Sequence, residues 1–333
     1  MSRQARTVPW RSSLLRLAGS VAILALLFRI VPFHQAWEAL RRLPPLVWLA
    51  VLAAYLCAHT VGAAKYRLTL GRAGAGLTFV QALRCYFAGL FGTLLLPSVV
   101  GGDVVRVGMA LRLAPNRAGV ILGSLVDRLL DVAVLLTLAV IGVLLAPSTL
   151  GPAGRRILLM IAAAGLAVGL AGLTVLLKLR ARRFSYRRRR WLARLRLAAR
   201  SVARRRERVL AAYGLGLLVQ ASFLTLTAFL AAACGLHLAV RAWLFAWPLA
   251  KLCALVPISQ GGIGVREAAL AALLAPFGAA AGLVVGVGLA WETVILAGGI
   301  VAGGAALAIA RLPAGQSSSV QAGAPQRLGV PPS

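Results

Sequence analysis

Acidic residues are scarce in this chain. Seven Asp and Glu stand against 37 Lys and Arg, and only 13% of the residues are charged. A soluble domain is about a quarter charged, so an ordinary water-facing surface is excluded. Metal-ligating residues are equally sparse. The three histidines (His34, His59, His237) are scattered, and the four cysteines (Cys57, Cys85, Cys234, Cys253) lie in apolar stretches without CxxC spacing. Neither a metal centre nor a disulfide framework is expected, and the cysteines read as small apolar fillers. No nucleophile elbow or nucleotide-binding loop occurs. Gly71-Arg-Ala-Gly74-Ala-Gly76 is a loop of small residues with no strand before it. No cofactor is expected.

What fills the chain instead is apolar. Hydrophobic residues make up 60% and mean hydropathy is +0.88, more than a soluble protein of this length can hide. A bilayer accepts such a surface, because lipid replaces water against it. Net charge is +30, but the basic residues collect between hydrophobic runs. There they set topology and touch anionic head groups. With no recognition motif, a nucleic-acid partner is not expected.

The reading is therefore all-α: a polytopic membrane helix bundle of about six full spans plus two re-entrant hairpins. One transmembrane domain covers residues 1–311, and a Pro-, Gly-, Ser- and Gln-rich tail over 312–333 is expected to be disordered. The N-terminus resembles a signal peptide without its cleavage site, so Leu17–Phe28 reads as a retained first span. Pro45–Ala64 is a second span, closed by a basic anchor, Lys65-Tyr-Arg67. A helix over Thr78–Leu96 is interrupted by Pro97, and later runs cover Asp127–Ala146, Ile157–Leu177, Val209–Val240, Leu244–Val256 and Ala279–Ala310. Between them, residues 178–208 hold 15 basic residues and one acid. Trp191, Leu195, Ala198 and Val202 form an apolar stripe along this region. That pattern predicts a cytoplasmic loop lying on an anionic lipid surface, or docking a partner protein.

One element occurs twice. Pro97-Ser-Val-Val-Gly101-Gly102-Asp103-Val-Val-Arg106 aligns without gaps, at an offset of 160, with Pro257-Ile-Ser-Gln-Gly261-Gly262-Ile-Gly-Val-Arg266. Proline removes a backbone donor and paired glycines permit unusual backbone shapes. At membrane depth such breaks are tolerated where protein or a water-filled cavity satisfies the freed groups. Matched breaks in two halves point to a central substrate site. Helix N-termini after each glycine pair would favour an anion, and Arg106 and Arg266 would add bidentate contacts to a phosphate. The alternative is a pair of kinked helices whose glycines only permit close packing.

Five acids fall within or beside apolar helices: Asp103, Asp127, Asp131, Glu267 and Glu292. Each would cost about 2.5–3.5 kcal/mol unpaired at the membrane centre, so cationic partners are expected among Arg106, Arg128, Lys251 and Arg266. An ion-pair lattice that positions helices and a proton or substrate role both fit. With the N-terminus cytoplasmic, the basic segments fall inside only if the two motif regions dip and return. The hairpins then enter from opposite faces, as an inverted repeat requires, and the C-terminus is also cytoplasmic.

These motifs in this order, Pro97…Gly101-Gly102-Asp103…Arg106, Asp127-Arg128-Leu-Leu-Asp131 and Pro257…Gly261-Gly262…Arg266-Glu267, resemble the transmembrane region of lysylphosphatidylglycerol synthases. The resemblance covers about residues 10–311. It implies a flippase-like membrane domain in the cell membrane, with Asp103, Arg106, Arg266 and Glu267 at the family's motif positions. The soluble aminoacyl-transferase domain of full-length synthases would follow such a region, and here only the short tail does, so lysyl transfer is not expected. The function expected is translocation of an anionic, phosphate-bearing lipid. The alternative is an accessory protein that presents lipid to a separate lipid- or glycan-synthesis enzyme.

Overall fold

The computed structural model describes residues 33–72, 76–96, 101–145, 156, 160, 206–254 and 264–311. The expected first span, nearly all of the span over 157–177, most of the 178–208 region and the tail lie outside the described residues, as do Pro97, Pro257, Gly261 and Gly262.

Among the described residues every regular element is helical. In chain order they are α1 (Phe33–Arg42), α2 (Pro45–Arg72), α3 (Phe79–Leu95), α4 (Gly101–Leu113), α5 (Arg117–Leu145), α6 (Arg206–Ala233), α7 (Val240–Cys253), α8 (Val265–Leu274) and α9 (Ala281–Arg311). Four of these, α2, α5, α6 and α9, are long and apolar enough to cross a bilayer. At about 1.5 Å per residue, the 17 residues of α3 and 13 of α4 fall short of the roughly 30 Å hydrocarbon thickness. The same holds for α7 and α8. Each short pair is consecutive in the chain and packs along itself.

The solvent logic is inverted. Leu46, Leu210 and Leu307 are among many large apolar side chains on the outside, while Lys65, Arg106, Asp127 and Glu267 are buried. A membrane protein is expected to be arranged this way, with lipid outside and charge kept to paired positions inside. The amphipathic α1 closes one flank by packing on α9, and the Arg41 guanidinium sits 5.0 Å from the centre of the Trp37 ring.

The helices repeat. The starts of α2, α3, α4 and α5 at 45, 79, 101 and 117 are matched by those of α6, α7, α8 and α9 at 206, 240, 265 and 281, which lie 161, 161, 164 and 164 residues later. Packing follows the same rule. Helix α3 lies on α9 as α7 lies on α5; α2 meets α5 as α6 meets α9; α4 meets α5 as α8 meets α9. Helices α2 and α6, equivalent to each other, pack together. The first helix of each short pair thus rests on the last long helix of the opposite half, which interlocks the two halves.

Local sequence explains where the short helices begin. Helix α3 starts with a capping box: the Gln81 amide donates to Thr78 Oγ1 (3.3 Å), and the Thr78 amide donates to Gln81 Oε1 (3.0 Å). The second motif has an extra glycine, Gly264, where the first has Val104. Gly264 adopts φ +85°, a conformation closed to a β-branched residue. Helix α8 therefore begins after it, at Val265, whereas α4 begins at Gly101. Close packing of α3 on α4 also depends on glycine: a Cβ on Gly89 would stand 2.9 Å from the Gly102 carbonyl oxygen and 3.0 Å from Arg106 Cβ.

Lys65 differs from its expected role. The sequence places it as a basic anchor at the end of a span; instead α2 continues to Arg72 and Lys65 is 2% exposed. The reason is electrostatic, because two carboxylates of α5 meet it there.

Candidate functional site

The first half holds a lattice of three cations and three acids. Lys65 Nζ lies 3.0 Å from Asp127 Oδ1 and 2.5 Å from Asp131 Oδ1. Asp127 and Asp131 are one helical turn apart on α5, which is why one ammonium reaches both. Arg106 Nη1 approaches Asp127 Oδ2 at 3.2 Å, and its Nη2 approaches Asp103 Oδ1 at 3.1 Å. Arg128 pairs with Asp103 and, at 3.7 Å, with Asp131. Lys65, Arg106 and Asp127 are buried, and burying any one of them alone is prohibitive; together with the partly exposed Asp103, Arg128 and Asp131 they compensate one another.

Charge pairing does not exhaust Arg106. Its Nε and Nη2, and both carboxylate oxygens of Asp127, make no aligned hydrogen bond among the described residues. The ion-pair distances are met off the hydrogen-bond direction. The guanidinium instead stacks near two rings, 4.4 Å from the centre of Tyr66 and 5.2 Å from that of Tyr86. Arg106 is thus neutralised by its neighbours yet keeps donor capacity for a further acceptor.

The second half is smaller and tighter. Arg266 Nη2 donates to Glu267 Oε1 at 2.8 Å and to Glu292 Oε1 at 2.7 Å. Glu267 is fully buried, and its other oxygen accepts from the Gly264 amide at 2.7 Å. One carboxylate therefore caps α8 and holds Arg266 at once. Amides at this helix N-terminus are expected to aim at an anion, and that of Gly264 is already bonded to the chain's own carboxylate.

Both arginines open onto one cavity of about 290 Å³. Gly102, Asp103, Arg106, Arg128, Asp131 and Arg266 all line it. Asp127, Glu267 and Glu292 stand behind this lining as counter-ions. Gly101 is buried against Leu96 and Gly102 forms the close contact with Gly89. Every described helix except α1 contributes to the wall, so the cavity sits at the junction of the two halves.

Several lining residues had no sequence signal. Tyr55, His59, Tyr86, Phe223, Trp247 and Trp291 supply aromatic walls, and ordinary apolar helices carry such residues everywhere. The His59 ring lies 4.3 Å from that of Tyr55 and 4.8 Å from that of Phe223. Lys251, expected only as a partner for an acid, donates to Gln220 Oε1 at 2.8 Å and sits over the rings of Trp247 (4.6 Å) and Phe223 (5.0 Å). Among the described residues no group of His, Cys, Asp or Glu is arranged to hold a metal ion.

The sequence model of the family described as the lysylphosphatidylglycerol synthase TM region matches residues 13–303. No curated protein matches the chain by sequence.

Proposed function

The chain belongs to the lysylphosphatidylglycerol synthase transmembrane-region family, and from that premise we propose that it moves an anionic, phosphate-bearing lipid or lipid-linked intermediate between the leaflets of the cytoplasmic membrane. The observation that carries this reading is the single cavity lined by Arg106 of one half and Arg266 of the other. A site shared by two equivalent halves, at the level of their broken helices, is what alternating access requires.

In this reading α3 with α4, and α7 with α8, are re-entrant hairpins entering from opposite faces, and both termini are cytoplasmic. The basic residues 178–208 lie on the anionic cytoplasmic leaflet. The head-group phosphate enters the cavity and accepts from Arg106 through the donors its acids leave unaligned. Asp103 and Asp127 keep the guanidinium compensated when substrate is gone, so neither state strands a buried charge. Arg266, held by Glu267 and Glu292, supplies the matching cation from the opposite half.

The test is translocation of fluorescent phosphatidylglycerol and phosphatidylcholine by the full chain in liposomes. Faster movement of the anionic lipid supports the reading. No movement of either lipid, with an enzyme of lipid or glycan synthesis co-purifying, would replace it with the accessory role.

A further inference from the structure

Five cationic side chains line the central cavity: Lys65, Arg106, Arg128, Lys251 and Arg266. Four of them have carboxylate partners within ion-pair distance. Lys251 has none among the described residues; its ammonium is held by one amide oxygen and two ring faces. Beside it, His59 is 8% exposed with neither ring nitrogen hydrogen-bonded. Both His59 and Gln220 line the cavity with Lys251. A positive charge, a buried imidazole with both nitrogens unpartnered and an amide thus converge on one end of it. Those are groups an oxyanion satisfies.

This end adjoins a second feature. On the outer side of the α2–α6 contact lies an apolar groove of about 500 Å³, bounded by Ala54, Cys57 and Ala58 of α2 and by Leu218, Ser222 and Leu226 of α6. Successive helical residues point about 100° apart, so Ala58 faces the groove while His59 faces the cavity. Val219 lines both spaces, and Gln220 follows it into the cavity. A single layer of side chains separates an apolar, membrane-side groove from the least compensated cation of the interior. In a membrane the material outside such a groove is acyl chain.

We propose that the seam between α2 and α6 is a lateral lipid portal, in which an acyl chain lies in the groove while the head-group anion is held by Lys251 with His59 and Gln220. This rests on the reading of the chain as a handler of anionic lipid, and it assigns the first contact to Lys251 rather than to the two motif arginines.

The experiment uses the full chain in phosphatidylcholine nanodiscs containing a trace of phosphatidylglycerol with a diazirine on one acyl chain. Irradiation is expected to label residues 54–61 and 218–226. Lys251→Gln is expected to lower the yield about tenfold, the loss of one charge-assisted contact, and Lys251→Arg to retain most of it. Ser222→Trp fills the groove without touching Lys251 and is expected to abolish labelling there, which covers the case of a poorly folded Lys251 variant. Excess unlabelled phosphatidylglycerol should compete, and inorganic phosphate should not. Labelling elsewhere, labelling indifferent to Lys251→Gln, or displacement by inorganic phosphate would each overturn the portal. Translocation measured on the same preparation separates the two ideas. Groove labelling without translocation keeps the portal and removes the transport reading, whereas translocation without groove labelling does the reverse.

Discussion

The two halves of this protein share a helical frame and differ in charge. Helices α2 to α5 and α6 to α9 match in order and in packing, and the motif arginines stand 160 residues apart. By the offsets of their own helices, 161 for α2 and α6 and 164 for α5 and α9, Lys65 becomes Leu226, Asp127 becomes Trp291 and Asp131 becomes Ile295. Conversely, Glu292 corresponds to Arg128 and Lys251 to Leu90. The first half is a six-member compensated lattice. The second is one arginine between two glutamates, with a lysine that no carboxylate of the described residues reaches. Repetition built the scaffold and the shared cavity; divergence set how each cation on its wall is compensated.

That contrast breaks most visibly at Asp127. It is fully buried between Lys65 and Arg106, so Asp127→Ala leaves two cations short of a partner. The expected destabilisation is about 3–5 kcal/mol, read as a large fall in Tm in detergent or as loss of folded protein. Val287→Ala, at a buried apolar position on the last helix of the second half, is expected to cost about 1 kcal/mol.

The second half should respond at its own carboxylates in a fixed order. Glu267 bonds both Arg266 and the Gly264 amide, so Glu267→Gln is expected to destabilise by about 2–3 kcal/mol. Glu292→Gln leaves Glu267 on Arg266 and is expected to cost about half as much. The reverse order in thermal unfolding would show that Glu267 does not cap α8.

Gly89→Ala probes the frame rather than the charges. Its Cβ would press on the Gly102 carbonyl and on Arg106, and overpacking of this kind costs about 1–3 kcal/mol. The smallest stability effect is expected at Lys251. Without a carboxylate to strand, Lys251→Gln should change Tm little, within about 1 kcal/mol, while lipid labelling falls. A large Tm loss there would erase the distinction between the two halves.

Much of the frame was legible in the sequence for a physical reason. Helix breakers and charges stand out against an apolar background, so the repeated Pro-Gly-Gly element and the five acids in or beside apolar helices were visible. The choice of Arg266 for Glu292 among four candidate cations came only with the packing of α8 on α9. Lys65 was misplaced because it stands next to Tyr66 and Arg67 at the edge of an apolar run, where snorkelling is the usual outcome. Its two aspartates lie more than sixty residues away, and only the packing of α2 on α5 reveals them. His59 and the aromatic walls were hidden for the opposite reason: in an apolar helix nothing local separates a cavity-facing ring from a lipid-facing one.

The central claim is that one cavity, shared by both halves, handles the anion. The most direct measurement is phosphatidylglycerol translocation by wild type, Arg106→Ala and Arg266→Ala, reconstituted at equal amounts of folded protein. The account predicts that each variant loses about tenfold or more in rate, although the arginines sit in unlike charge environments. Equal rates in all three proteins would contradict it.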